Sequence, residues 1–312
     1  MKKIIFLFLN SIFAPIINIL LSFFKTIIIF RNGSAIGDHV YMSSIIRELK
    51  IKRKKIILFT NYSELYLNNK RISKLYNFEI NSIVWFFLRC IKGKNIFEFN
   101  SIYIKENINK HFLFFHKPNK IPLAQAMSEH FNLNLNYSNL QNEFFFSKSE
   151  IIHYENTIKL PSSYALIQSC TKKTFTSNKD WKLNGMQNII NSFPNINWIQ
   201  IGRLNEPKLS NCLHYFDLKL RELAYVIFKS EFLVSYEGLF NHLAACFKKK
   251  NFLIHSGFLH IDSVNYTNNI IIEENNKMDC YPCFDLHCKG HVKNFADKLK
   301  DEKVINIIRN NL

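Results

Sequence analysis

Short apolar runs alternate with helical periodicity along most of the chain, and this alternation restricts the fold more than any other feature. The run at residues 27–30 is followed by Met42, Ile45, Ile46 and Leu49 at i, i+3, i+4 and i+7, then by a second run at 56–60. The later half repeats the pattern. Runs at 164–168, 198–201, 232–235 and 252–255 are separated by helical stretches through Met186, Ile189, Ile190 and Phe193, through Leu220, Leu223, Ala224 and Ile227, and over 239–247. Strands apolar at nearly every position are buried on both faces, and strand–helix–strand units need right-handed crossovers, so both halves predict parallel sheets covered by helices. An aromatic-rich stretch between them, about 83–146, predicts strands at 96–99 and 112–115. The polar segment 144–161, with Pro161, reads as a boundary.

At roughly 150 residues per domain, 312 residues make two domains. The expected divisions are an apolar segment at 1–25, a first Rossmann-like domain at 26–155, a second at 156–292, and a helix within 293–312. A hydrophobic content of 47% with 21% charged residues excludes a disordered chain, a collagen and a coiled coil. The net charge of +17 favours anionic partners, whether nucleic acid, acidic lipid or phosphorylated small molecules. The basic residues are scattered, and the abundance of Ile, Lys, Asn and Phe is what an AT-rich genome produces, so no nucleic-acid surface is expected. Seven cysteines, an odd number spread over the chain, point to a reducing compartment.

Residues 4–24 form an almost uncharged run, flanked by Lys2, Lys3 and Lys25. About 20 residues are long enough to span a bilayer, but Asn10, Pro15 and Asn18 interrupt the run. The preferred expectation is a helix lying in the cytoplasmic leaflet with its basic flanks on lipid phosphates. A true span and a helix packed on the protein itself are the alternatives, and so is a secretory signal peptide, for which the run is long and no clear small-x-small cleavage site follows.

Three loops after strands carry chemical potential, since ligands of parallel sheets bind outside the carboxyl ends. The first contains Gly33, Ser34, Gly37 and Asp38, where the glycines allow close approach and Asp38 is either a helix N-cap or a base. The second contains Glu237, Gly238, Leu239 and His242 at the start of a helix, a ready site for a diphosphate. The third runs from Thr171 through Lys179 to Trp181, with a lysine to neutralise phosphate.

In this order the motifs, with Asn178-Lys-Asp-Trp181, Trp198-Ile-Gln-Ile-Gly202 and Leu220-Arg-Glu-Leu-Ala224, resemble glycosyltransferase family 9, the ADP-heptose:lipopolysaccharide heptosyltransferase family, over about residues 26–260. The resemblance implies a GT-B fold: two Rossmann-like domains facing a central cleft, with the helix within 293–312 packing back on the first domain and the nucleotide base selected by the loops around Gly202-Arg203 and 255–257. It implies Asp38 as catalytic base, Gly33, Ser34 and Gly37 in the acceptor loop, and Lys179, Glu237, Gly238, Leu239, His242, Gly202 and Thr171 at the donor. The implied reaction is inverting and metal-independent, from a nucleotide-diphosphate sugar, a heptose among the candidates, to a lipid-linked, lipopolysaccharide or other cell-envelope glycan. The expected setting is the cytoplasmic face of a bacterial inner membrane, with the enzyme a monomer that needs no cofactor. The family's commoner donor loop has Asp where this chain has Glu237, and Gly where it has Leu239. That departure supports the rival reading of a non-catalytic nucleotide- or glycan-binding relative.

Cys280, Cys283, Cys288 and His291 have zinc-compatible spacing. A structural zinc is not the favoured reading of this short pattern. A zinc-containing nucleic-acid-binding protein is the third hypothesis, and it lacks any recognisable basic–aromatic module.

Overall fold

A computed structural model describes residues 9–31, 33, 35–52, 54–79, 82–99, 103–106, 111–114, 121–133, 135–136, 140–171, 178–274, 280–283, 288, 295 and 297–312. The chain divides into two compact units, Met1–Ile102 with Ala124–Ser147, and Tyr103–Leu123 with Lys148–Leu312.

The first unit is built on a parallel sheet in the order β3-β2-β1-β4, with β1 at Thr26–Arg31, β2 at Lys55–Thr60, β3 at Lys74–Asn77 and β4 at Ile96–Glu98. Its helices are α1 at Ala14–Phe23, α2 at Ile36–Ile51, α3 at Ile83–Cys90 and α4 at Leu123–His130. The β-branched run Thr-Ile-Ile-Ile suits a central strand, and Ile27, Ile29 and Phe30 are buried. All four periodic positions of α2, Met42, Ile45, Ile46 and Leu49, are buried as expected. The unit's late segment is clamped by Glu143, whose carboxylate accepts two bonds from Arg71 (2.6 and 2.8 Å) and whose N–H donates to Ser43 (2.8 Å).

The apolar N-terminal run is not one continuous helix. A π-helical turn at Leu9–Phe13 precedes α1, and Pro15 stands in the first turn, where its missing N–H costs nothing. One side of α1 packs inward, with Ala14, Ile17 and Leu21 against Phe30, Leu88, Ile91 and Ile96. Asn18, an interruption in the sequence pattern, fastens the helix: its amide donates to the Ile91 carbonyl (3.3 Å) and its oxygen accepts from Asn95 N–H (2.8 Å). Among the described residues no helix is long and apolar enough to cross a membrane.

In the second unit, six parallel strands run in the order β12-β11-β10-β7-β8-β9. They are β7 (Ala165–Gln168), β8 (Trp198–Gly202), β9 (Leu213–Phe216), β10 (Phe232–Tyr236), β11 (Lys250–Ile254) and β12 (Asn269–Ile272). A separate antiparallel pair, β5 (Tyr103–Glu106) and β6 (His111–Phe114), matches the strand expected near 112–115. The helices are α5 (Lys148–Thr157), α6 (Leu183–Ser192), α7 (Leu220–Lys229), α8 (Leu239–Cys246), α9 (Ile261–Val264) and α10 (Asp301–Arg309). The division between units falls at 147/148 rather than 155/156. The reason is that α5 belongs to the second unit: Glu150 pairs with Arg221 at 2.6 Å, and the Tyr154 ring lies tilted against Tyr225, centroids 5.2 Å apart.

The terminal helix is anchored in the second unit. Val304 and Ile308 of α10 enter its core, beside Trp181, Met186 and Ile189. Trp181 pins this arrangement, since its indole N–H donates to the Leu299 carbonyl (3.0 Å) and its backbone N–H to the Tyr236 hydroxyl (3.0 Å).

Candidate active site

In the first sheet the strand order turns back on itself between β1 and β4, and the loop after β1 opens at that point. Asp38 lies in the first turn of α2 but does not cap it; the N-cap is Ala35, with no side-chain cap bond. Its carboxylate accepts from Arg31 Nη2 at 2.9 Å, and Arg31 Nη1 donates to the Phe99 carbonyl at 2.8 Å. Arg31 therefore ties the end of β1 to the end of β4 and sets the position of Asp38, both side chains being buried. A carboxylate in this turn also faces the positive end of the helix dipole. Gly33 exchanges hydrogen bonds with the Asn61 side chain (3.3 and 3.4 Å), which shapes the loop, and Gly37 is the second residue of α2. Ser34 lies outside the described residues.

His39, next in sequence, was not singled out by its spacing. It is buried, with Nδ1 3.2 Å from the Thr60 hydroxyl and Nε2 3.4 Å from the Gly33 carbonyl. Burial, helped by the Arg31 charge, drives its pKa down to about 2 despite the Gly33 contact, so the ring is neutral. Its role is to brace the loop that carries Gly33.

The second sheet has its own turning point between β7 and β10, and the other two loops leave the carboxyl ends of those neighbouring strands. Gly238, N-cap of α8, has φ +148° and ψ −152°, a conformation open essentially to glycine alone. This turn presents the amides of α8's first turn at the strand ends. Lys179 Nζ stands 3.5 Å from Glu237 Oε1 and over the Phe258 ring at 5.0 Å. Glu237 is buried, and Ser256 donates to it at 3.2 Å. His242 lies on α8 with Nδ1 2.6 Å from the Tyr266 hydroxyl; burial, with Lys179 next, lowers its pKa to about 3. Thr171 directs both its N–H and its hydroxyl to Asp180 Oδ1 (2.6 Å each), closing the loop that delivers Lys179. Leu239 is the first residue of α8. Gly202 ends β8, and the Glu206 carboxyl occupies the space a side chain would take there. Burial raises the Glu206 pKa, and raises the neighbouring Cys170 thiol to about 12.

One member of this cluster had been expected only as part of a base-recognition loop. His255, fully buried, has Nδ1 2.8 Å from Glu273 Oε2, and Nε2 3.1 Å from the Leu259 carbonyl and 3.2 Å from Glu237 Oε2. The ring thus lies between the Glu237 and Glu273 carboxylates. Lys179 and His255 thus flank Glu237, while Glu273 supplies the second carboxylate. The three thiols of the expected zinc pattern also converge, their sulfurs all within 4.8 Å of one another, whereas His291 lies outside the described residues.

No protein-family model and no curated protein sequence matches the chain. Solved structures do. A glycosyl transferase family 9 protein from Veillonella parvula superposes with TM-score 0.65 at 11% identity, covering 92% of this chain and 97% of that one. The ADP-heptose lipopolysaccharide heptosyltransferase II of E. coli gives 0.62 at 10% identity, covering 91% and 98%. The dodecameric iron-containing heptosyltransferase TibC of E. coli, solved with ADP-D-beta-D-heptose, gives 0.62 at 11% identity, covering 91% and 76%. The two parallel-sheet units of this chain, of four and six strands, thus have the GT-B fold of these glycosyltransferases.

Proposed function

We propose that the chain is a glycosyltransferase moving a sugar from a nucleotide-diphosphate donor to an acceptor hydroxyl. The observation that carries this reading is the convergence of a glycine-opened helix start, Lys179, Glu237 and a neutral His242 at the turning point of the second sheet. Free amides at a helix N-terminus and an adjacent ammonium are suited to a diphosphate. Glu237, an acceptor held by Ser256, is suited to a ribose or sugar hydroxyl. As the bond from the anomeric carbon to the diphosphate oxygen breaks, charge grows on that oxygen, and the same amides and Lys179 stabilise it. No step calls for added magnesium or manganese.

Asp38 is the proposed base. It removes the acceptor proton as the hydroxyl oxygen attacks the anomeric carbon opposite the leaving group, inverting the configuration through an oxocarbenium-like state. General base catalysis of this kind is worth roughly 10²–10⁴-fold. Arg31 fixes where the carboxylate stands. Since TibC was solved with ADP-D-beta-D-heptose, an adenine nucleotide and a heptose are the first donor to try. The proposed acceptor is a cell-envelope glycan at the cytoplasmic face of the inner membrane, approached through the exposed side of α1.

Thermal shift of the full chain with ADP, UDP and GDP tests donor binding; ligand at 100 times its Kd stabilises by about 2.7 kcal/mol. Sugar transfer that is lost in Asp38→Ala, with the nucleotide shift retained, is the expected result. A shift without transfer from any donor favours the non-catalytic relative, a reading to which the Arg31–Asp38 ion pair lends itself. No shift with any nucleotide overturns both.

A further inference from the structure

We propose that Cys280, Cys283 and Cys288 bind one thiophilic divalent ion, zinc by preference, and that this ion braces the segment 257–261 beside Glu237. The three sulfurs lie within 4.8 Å of one another, and among the described residues no other three histidine, cysteine or acidic side chains converge in this way. Two thiolates on one zinc, each about 2.3 Å from it, stand on the order of 3.8 Å apart. Small rotamer changes therefore convert the observed cluster into a coordination site. All three residues are partly exposed, so an ion can reach them, and all seven cysteines of the chain are thiols. A set of thiolates selects zinc or ferrous iron over magnesium and calcium. As each sulfur bonds the ion, its thiol proton passes to solvent.

The position of the cluster gives the ion a structural task. Cys283 N–H donates to the Gly257 carbonyl at 3.0 Å, and the Tyr281 hydroxyl accepts from Ile261 N–H at 3.1 Å. The Tyr281 ring lies against His260 and edge-on to His255. The cysteine loop thus grips both ends of 257–261, and within that span Phe258 underlies Lys179. Next to it, Ser256 and His255 hold Glu237. Metal binding itself is independent of the donor reading; only the consequence of bracing for donor affinity rests on it.

The test is a cobalt titration of the full chain, reduced and stripped of metal. Thiolate-to-cobalt charge-transfer absorption should saturate at one ion per chain and vanish on adding one equivalent of zinc. Cys283→Ser and Cys288→Ser should each lose the band, while Cys212→Ser should keep it. Zinc loading should slow amide hydrogen exchange across 255–261 in the unmodified chain and not in Cys288→Ser. Absence of the band in the unmodified chain, or its persistence with all three cysteines changed to serine, overturns the site. Cobalt binding without slower exchange overturns the bracing. A chain that binds cobalt but no nucleotide refutes the donor reading and leaves the metal site standing.

Discussion

His39 and His242 are buried in different units, and each stays neutral because burial penalises its charged form, with Arg31 or Lys179 adding to that effect. In the unfolded chain both titrate near 6.5. Below that pH the unfolded state takes up protons that the folded state refuses. The stability due to these rings is therefore complete above about pH 6.5 and falls as pH drops toward about 3, by up to about 1.4 kcal/mol per unit for each ring. Urea midpoints at pH 7, 6 and 5 should decline, and should decline less steeply in His242→Gln; equal slopes refute the assignment. His255 makes a different prediction. Since its Nε2 faces Glu237 at 3.2 Å, His255→Gln should weaken nucleotide binding at least tenfold by titration calorimetry, while a folded variant with unchanged affinity removes it from the donor site. Gly238→Ala meets no neighbouring atom, so its cost is conformational. With φ at +148° that cost is on the order of 1–3 kcal/mol, readable as a lowered urea midpoint.

At the scale of elements, α6 offers a case where two effects of opposite sign are decided by magnitude. Replacing Gly185 with Ala in an exposed helix gains about 1 kcal/mol of propensity. Here a β-carbon would sit 2.5–2.7 Å from three carbons of the Trp181 ring. That ring cannot swing aside without breaking its bond to the Leu299 carbonyl and leaving the packing of α10. Overpacking of this kind costs about 1–3 kcal/mol, so Gly185→Ala should lower the unfolding midpoint; a raised midpoint would show that the contact yields. The elements differed in how far their sequences announced them. β1, β7, β8, β10 and β11 were legible because burial on both faces makes most of their positions apolar. β3, β9 and β12 were not, and all three are sheet edges; β3 and β9 are largely exposed, so Lys74, Asn77 and His214 break the apolar signal. The loops after β1, β7 and β10 could be picked out because glycines and charges stand where strands end. What joins Glu237 to His255 and Glu273 is the lateral pairing of β10, β11 and β12, which linear spacing does not encode.

At the scale of the molecule, the chain's apolar N-terminal helix is half used. Ala14, Ile17 and Leu21 of α1 face the first unit's core, while Ile19 and Phe23 are 68% and 79% exposed. Helix α3 borders the same core through Leu88 and leaves Ile83 88% exposed. Ten residues of α-helix are about 15 Å long, half the roughly 30 Å of a bilayer's hydrocarbon. With Asn18 fastened to Ile91 and Asn95, α1 is suited to lying at an interface with its outer side in lipid. Burying Ile19 and Phe23 there would contribute about 1.5–3 kcal/mol each, and the chain's +17 charge adds attraction to acidic head groups. The full chain should therefore float with vesicles containing anionic lipid, less with zwitterionic ones, and less again as salt is raised. Ile19→Glu with Phe23→Glu should release it from both without altering the core contacts of Ala14 and Leu21. Failure to float on anionic vesicles, or flotation that survives the double substitution, would mean that the outer side of α1 serves something other than a lipid surface.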